Sequence, residues 1–169
     1  ITTSIDVPSP ATLTQLKSIN IILKSGGTVT STLFQGLTAL TSITIGPAFL
    51  GPALTTIPSF SASTHLENLV VSGNALTDDW VQSVDFSVFK SLRNLDISGN
   101  TAITKLPAGL SSCPVLTSIN AASCSLTSNS FPSFSNTNVT ILILDNNRIS
   151  VVPSALCALS PQAAAYGGI

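Results

Sequence analysis

A chain of 169 residues with 44% hydrophobic content and a mean hydropathy of +0.51 can bury a substantial core, which excludes disorder and indicates one domain. Only 8% of the residues are charged, against about 25% in a typical globular chain, and six basic and seven acidic groups leave a net charge of −1. That balance cannot drive binding to nucleic acid or an anionic membrane, and no run of about 18 apolar residues is present to span a bilayer.

Hydroxyls take the place of charge: 26 serines and 20 threonines are expected to wet the surface. There is no methionine, so Ile1 is expected to follow a removed leader or to lie inside a longer chain. Residues 1–15, with Val7-Pro8 and Leu13, read as the tail of a partial N-terminal turn.

A repeating frame then begins at Leu16-x-x-Ile19-x-Ile21 and returns at Leu40-x-x-Ile43-x-Ile45-x-x-Ala48-x-Leu50. It is fullest at Leu66-x-x-Leu69-x-Val71-x-x-Asn74-x-Leu76 and at Leu92-x-x-Leu95-x-Ile97-x-x-Asn100. It continues at Leu116-x-x-Ile119-x-Ala121-x-x-Cys124-x-Leu126 and at Val139-x-x-Leu142-x-Leu144-x-x-Asn147-x-Ile149. The starts at 16, 40, 66, 92, 116 and 139 give steps of 24, 26, 26, 24 and 23 residues. Alternation inside each frame sends every second side chain inward, as a half-buried strand requires. The side-chain amides of Asn74, Asn100 and Asn147 can satisfy backbone groups where the chain turns inside, and Cys124 stands in their place in the fifth turn. Lys24 and Ala48 replace the asparagine in the first two turns, which are expected to be less regular.

Between the frames, Leu106-Pro107 and Val152-Pro153, with Ile57-Pro58 and Phe131-Pro132 as looser relatives, predict extended or turn-like returns. The third turn differs. Thr77 as a cap, Asp78 and Asp79 in a first helical turn, and apolar residues at 81, 84 and 88 predict a short helix over about 78–90, with Trp80 and Phe89 partly filling the core. Residues 151–169 complete a C-terminal turn whose Ala- and Gly-rich end is a poor polar cap. Because a solenoid exposes a core cross-section at each end, more chain or another subunit is expected to cover at least one of them.

The frame resembles that of the extracellular leucine-rich repeat family over nearly the whole length. The resemblance implies one α/β solenoid domain over 1–169, a right-handed curved superhelix with a parallel concave β-sheet and a mostly irregular convex side. The family pattern admits cysteine in place of the asparagine.

Residues that could carry chemistry do not converge. His65 is the only histidine and lies in a loop with neither a nucleophile nor an orienting acid beside it. Asp96 and Asp145 fall on the concave face about 10 Å apart, a spacing some glycosidases use, but no sugar-stacking aromatic shares that face. No metal or cofactor set appears, so a non-enzymatic role is expected. Cys113 and Cys157 lie about 10 Å apart on return arcs, beyond the roughly 7 Å reach of a disulfide. No intrachain bridge is expected: Cys124 reads as structural, and Cys113 and Cys157 as buried small apolar residues.

The outward strand positions define the candidate interaction face: Asn68, Asn94 and Ser118 with Ile141 in one column, Asp96 and Asn120 with Ile143 in the next, and Asp145 in a third. These are small and mostly neutral, without the Tyr, Trp and Arg anchors of a strong recognition patch. A flanking column running Lys17, Thr41, Glu67, Arg93, Thr117, Thr140 is broken by charge and cannot form an ice-binding threonine ladder. Asn138-Val139-Thr140 is a glycosylation sequon, which with the hydroxyl-rich surface leads us to expect a secreted or cell-surface protein glycosylated at Asn138. Two functions stay open. One is an extracellular structural and protein–protein interaction module that assembles with copies of itself into a cell-surface or filamentous structure. The other is a receptor-like ectodomain that recognises a peptide or glycan on its concave face. Protein partners and an attached glycan are expected, without nucleic acid or membrane insertion.

Overall fold

The computed structural model describes residues 13–24, 29–47, 53–159 and 164–166. Each frame folds as a short strand followed by a return arc. The strands are β1 (Ser18–Leu23), β2 (Ser42–Pro47), β3 (Asn68–Val70), β4 (Asn94–Asp96), β5 (Ser118–Asn120), β6 (Ile141–Ile143) and β7 (Ala164–Tyr166). All pair in parallel, in sequence order, within one sheet. The pairing keeps the frames in step, so Ile19, Ile43, Leu69, Leu95, Ile119 and Leu142 stand side by side. Leu69, Leu95, Ile119 and Leu142 are all buried, while their outward neighbours are half-buried or exposed. This is the stacked interior that the alternation predicts.

β7 adds a seventh strand in the segment read as a weak cap. Ala165 takes the register position of Leu142, and alanine there carries no hydrophobic signal for the frame to show.

After each of β3 to β6 the chain bends inward through a left-handed residue at one fixed frame position: Gly73, Gly99, Ser123 and Asn146 have φ of 68°, 72°, 55° and 56°. The next residue is the asparagine or cysteine of the frame. Asn100 donates to its own Ile97 carbonyl at 2.7 Å and to Val71 of the preceding turn at 3.1 Å, and its Oδ1 accepts from the Leu76 amide at 3.0 Å. Asn74 and Asn147 repeat the pattern, reaching back to Ile45 and Ala121. At the fifth turn Cys124 Sγ makes a long contact to the Ile97 carbonyl, 3.5 Å, and a backbone hydrogen bond with Asn100.

The core beneath the arcs is aromatic. Phe60 stacks on Phe89 with ring centroids 5.5 Å apart, and Phe34 meets Phe60 edge-on at 5.8 Å. The third return corrects the helix prediction. The helix α1 covers only Asp78–Ser83; Val84 is extended, and a 3-10 turn follows at Phe86–Val88. Phe86 and Phe89 must both be buried, and three residues apart they face one way in a 3-10 turn, whose start the Asp85 carboxylate caps by accepting from the Ser87 amide. Trp80 and Phe89 lie fully inside the core. Thr77 makes no capping side-chain hydrogen bond, and the Asp78 carboxylate instead accepts from Thr104 of the next turn. After Pro107 and Pro153 the returns run as 3-10 turns, Ala108–Ser112 and Ser154–Ala158.

Candidate interaction face

The register gathers the predicted face. Ser18, Ser42, Asn68, Asn94, Ser118 and Ile141 form one column across the sheet, and Asn20, Thr44, Val70, Asp96, Asn120 and Ile143 the next. Their central members are tied to one another. Asn94 Nδ2 donates to Asn68 Oδ1 at 2.6 Å, and Asn120 Nδ2 to Asp96 Oδ2 at 3.2 Å. Asp96 Oδ1 also accepts from the Ser98 amide at 2.9 Å and its hydroxyl at 2.6 Å, and Asn120 Oδ1 accepts from the Ala122 amide. A carboxylate already holding three donors is poorly placed for acid–base work. These bonds set the side chains in fixed orientations, so the middle of the face is pre-ordered. Asp145 follows β6, and its backbone carbonyl accepts from the Ser123 amide at 2.7 Å.

The face changes character at β6, where Ile141 is exposed and Ile143 half-buried, beside Ala164 and Tyr166 of β7 in the register. On the flank, the hydroxyls of Thr41, Thr117 and Thr140 donate to carbonyls of the preceding turn, and Arg93 pairs with Glu67 at 4.0 Å in an exposed ion pair of small energetic weight. His65 is exposed in the loop before β3. Asn138 and Thr140 are both exposed on either side of buried Val139, where the chain enters β6.

The cysteines divide. Cys113 and Cys124 are buried, and loss of water around the sulfur pushes each thiol up to about 11. Cys157 is exposed, which corrects the expectation of burial. In its 3-10 turn, Leu156 and Leu159 point inward three residues apart, as Leu110 and Cys113 do two arcs earlier; the residue after the first leucine faces out. Among the described residues, no cluster of three or more His, Cys, Asp or Glu side chains could hold a metal ion, and no helix is long and apolar enough to cross a membrane.

A family model described as Leucine Rich Repeat matches residues 138–159. Among solved structures the chain is similar to an internalin from Listeria monocytogenes, at a TM-score of 0.57 and 20% sequence identity, over 94% of this chain and 49% of the internalin chain. It therefore spans about half the length of that protein. No curated protein matches the chain.

Proposed function

We infer that this leucine-rich-repeat solenoid is a non-enzymatic, extracellular module for protein–protein interaction, with its parallel sheet as the binding face. One observation carries the reading: the outward columns through Asn68, Asn94, Asp96 and Asn120 are held by their own hydrogen bonds and end in the apolar pair Ile141 and Ile143. A rigid polar surface with an apolar end loses little conformational entropy when a partner docks. The triple variant Asn94→Ala, Asp96→Ala, Asn120→Ala should lose at least tenfold in affinity for any peptide or glycan selected on an array. Its melting temperature should stay close to that of the parent. Retained affinity would rule out the concave face.

A second reading is assembly with copies of itself. It draws on the last described arc, where Val151 and Val152 are 66% and 59% exposed although Val152 occupies the frame position of buried Leu106. End-to-end contact between unlike surfaces propagates instead of closing. Sedimentation velocity over a hundredfold concentration range should show growing species, reduced by Val152→Asp; a monomer throughout removes this reading. Secretion and glycosylation at Asn138 belong to the same proposal, and glycosidase treatment that leaves the mass of the natural protein unchanged would overturn the glycosylation.

A further inference from the structure

The return arcs of the third and fourth turns are tied at two places and part between them. At one tie the Asp78 carboxylate accepts the Thr104 amide at 2.8 Å and also the Thr104 hydroxyl. At the other, Gly109 lies so close that a β-carbon there would sit 2.8 Å from the Ser87 nitrogen, and Cys113 Sγ donates to the Phe86 carbonyl at 3.4 Å. Between the ties the wide α-helical turn of α1 faces the narrower extended chain at 105–107. The mismatch leaves a half-open notch of about 710 Å³. Val81, Val84, Leu106 and Pro107 supply its apolar lining, with Gln82 and Asp85 on one lip and Lys105 on the other.

Charge gathers here in a chain that otherwise has little of it. Two of the seven acids, Asp78 and Asp85, line the notch on the α1 side, against Lys105 as the one cation among the lining residues. Asp78 is occupied by Thr104, but Lys105 is exposed and its side chain makes no hydrogen bond or ion pair among the described residues. Asp85 is exposed too, and the Ser87 hydroxyl and amide hold its carboxyl below the ordinary range, so it stays charged.

We propose that this notch receives a short extended segment of a partner protein carrying a basic side chain beside small apolar ones. The apolar side chains cover the lining from Val81 to Leu106, the basic group meets Asp85, and a backbone carbonyl of the segment meets Lys105. A small molecule suits the notch less well, since ligand pockets enclose about 70–90% of a drug-sized ligand and an open notch cannot. The surface lies on the return arcs, away from the outward strand positions, so the inference goes beyond the concave-face reading and does not depend on it.

A random-peptide phage library selected against the full chain tests it. Enriched peptides should share a Lys or Arg next to small apolar residues. They should lose at least tenfold in binding to Asp85→Asn, which keeps the oxygen that accepts from Ser87 and removes the charge, and to Gln82→Trp, both exposed lining positions, with unchanged melts as the control. Binding to Asn94→Ala should be unaffected. Enriched peptides without a basic residue, peptides that bind both variants as well as the parent, or an absence of enrichment would each overturn the proposal. Peptides lost only on Asn94→Ala would report the concave face instead.

Discussion

At one position of every well-formed coil the backbone must turn left-handed, and the residues there meet that demand unequally. Gly73 and Gly99 adopt it without strain, whereas Ser123 has to hold φ at 55°. Ser123→Gly should therefore raise stability by about 0.5–1 kcal/mol in urea denaturation. Gly99→Ala should cost about 2 kcal/mol or more, because a β-carbon there would also lie 3.2 Å from the Gly73 backbone. The neighbouring rung has its own defect. Cys124 makes only weak sulfur contacts where each asparagine makes several hydrogen bonds, so Cys124→Asn should add about 1 kcal/mol by restoring the missing bonds. Cys113 and Cys124 also predict a pH response. Their folded thiols titrate near 11 and their ordinary value is 9.0, so the unfolded chain releases its protons first. Their contribution is complete below pH 9.0 and is lost as the pH rises toward about 11. Alanine at both positions should flatten that decline in denaturation curves run across the range. The asparagine rungs were legible in the sequence because the same residue recurs at the same frame position, whereas the left-handed position before them, shared by glycine, serine and asparagine, was not. The exposure of Cys157 was not, because a two-residue offset within a 3-10 arc reverses which side a residue faces.

At the scale of elements, strands announced themselves and returns did not. Leucine or isoleucine at one fixed place marks β1 through β6, but β7 holds alanine where β6 holds leucine and gave no sign. The overlong helix prediction has a definite cause: apolar residues at 81, 84 and 88 suit an α-helical period, yet Phe86 and Phe89 govern the packing and impose a tighter one. The aromatic stack should therefore be the most sensitive part of the returns. Phe60→Ala removes a fully buried ring stacked on Phe89 and meeting Phe34, and should cost about 3–5 kcal/mol, read as a lower urea midpoint. The notch was illegible for the same reason as the helix end, since it arises from two unlike arcs lying side by side and not from any residue pattern.

Over the described residues the molecule is a one-dimensional stack in which each coil meets only its neighbours along the chain. Core side chains in the middle coils, such as Leu69, Leu95 and Ile119, are closed off on both sides, while Leu16 near one end and Ile149 near the other are only partly buried. Amide hydrogen exchange should follow that gradient, slowest at β3 to β5 and fastest at β1 and β7. Uniform protection along the sheet would contradict it. The architecture was readable at this scale because period and register are one fact seen twice. The binding partner was not, because a face of small neutral groups carries no signature of what it meets.

The asparagine rungs have a direction. Asn74, Asn100 and Asn147 each reach back to a carbonyl one coil earlier and take up an amide from that same coil. A coil thus has its loose polar ends fastened only when its successor arrives. A chain emerging from the ribosome amino end first would be sealed in that sequence, like a row of buttons closed from one hem, and at every stage the newest coil is the one left undone.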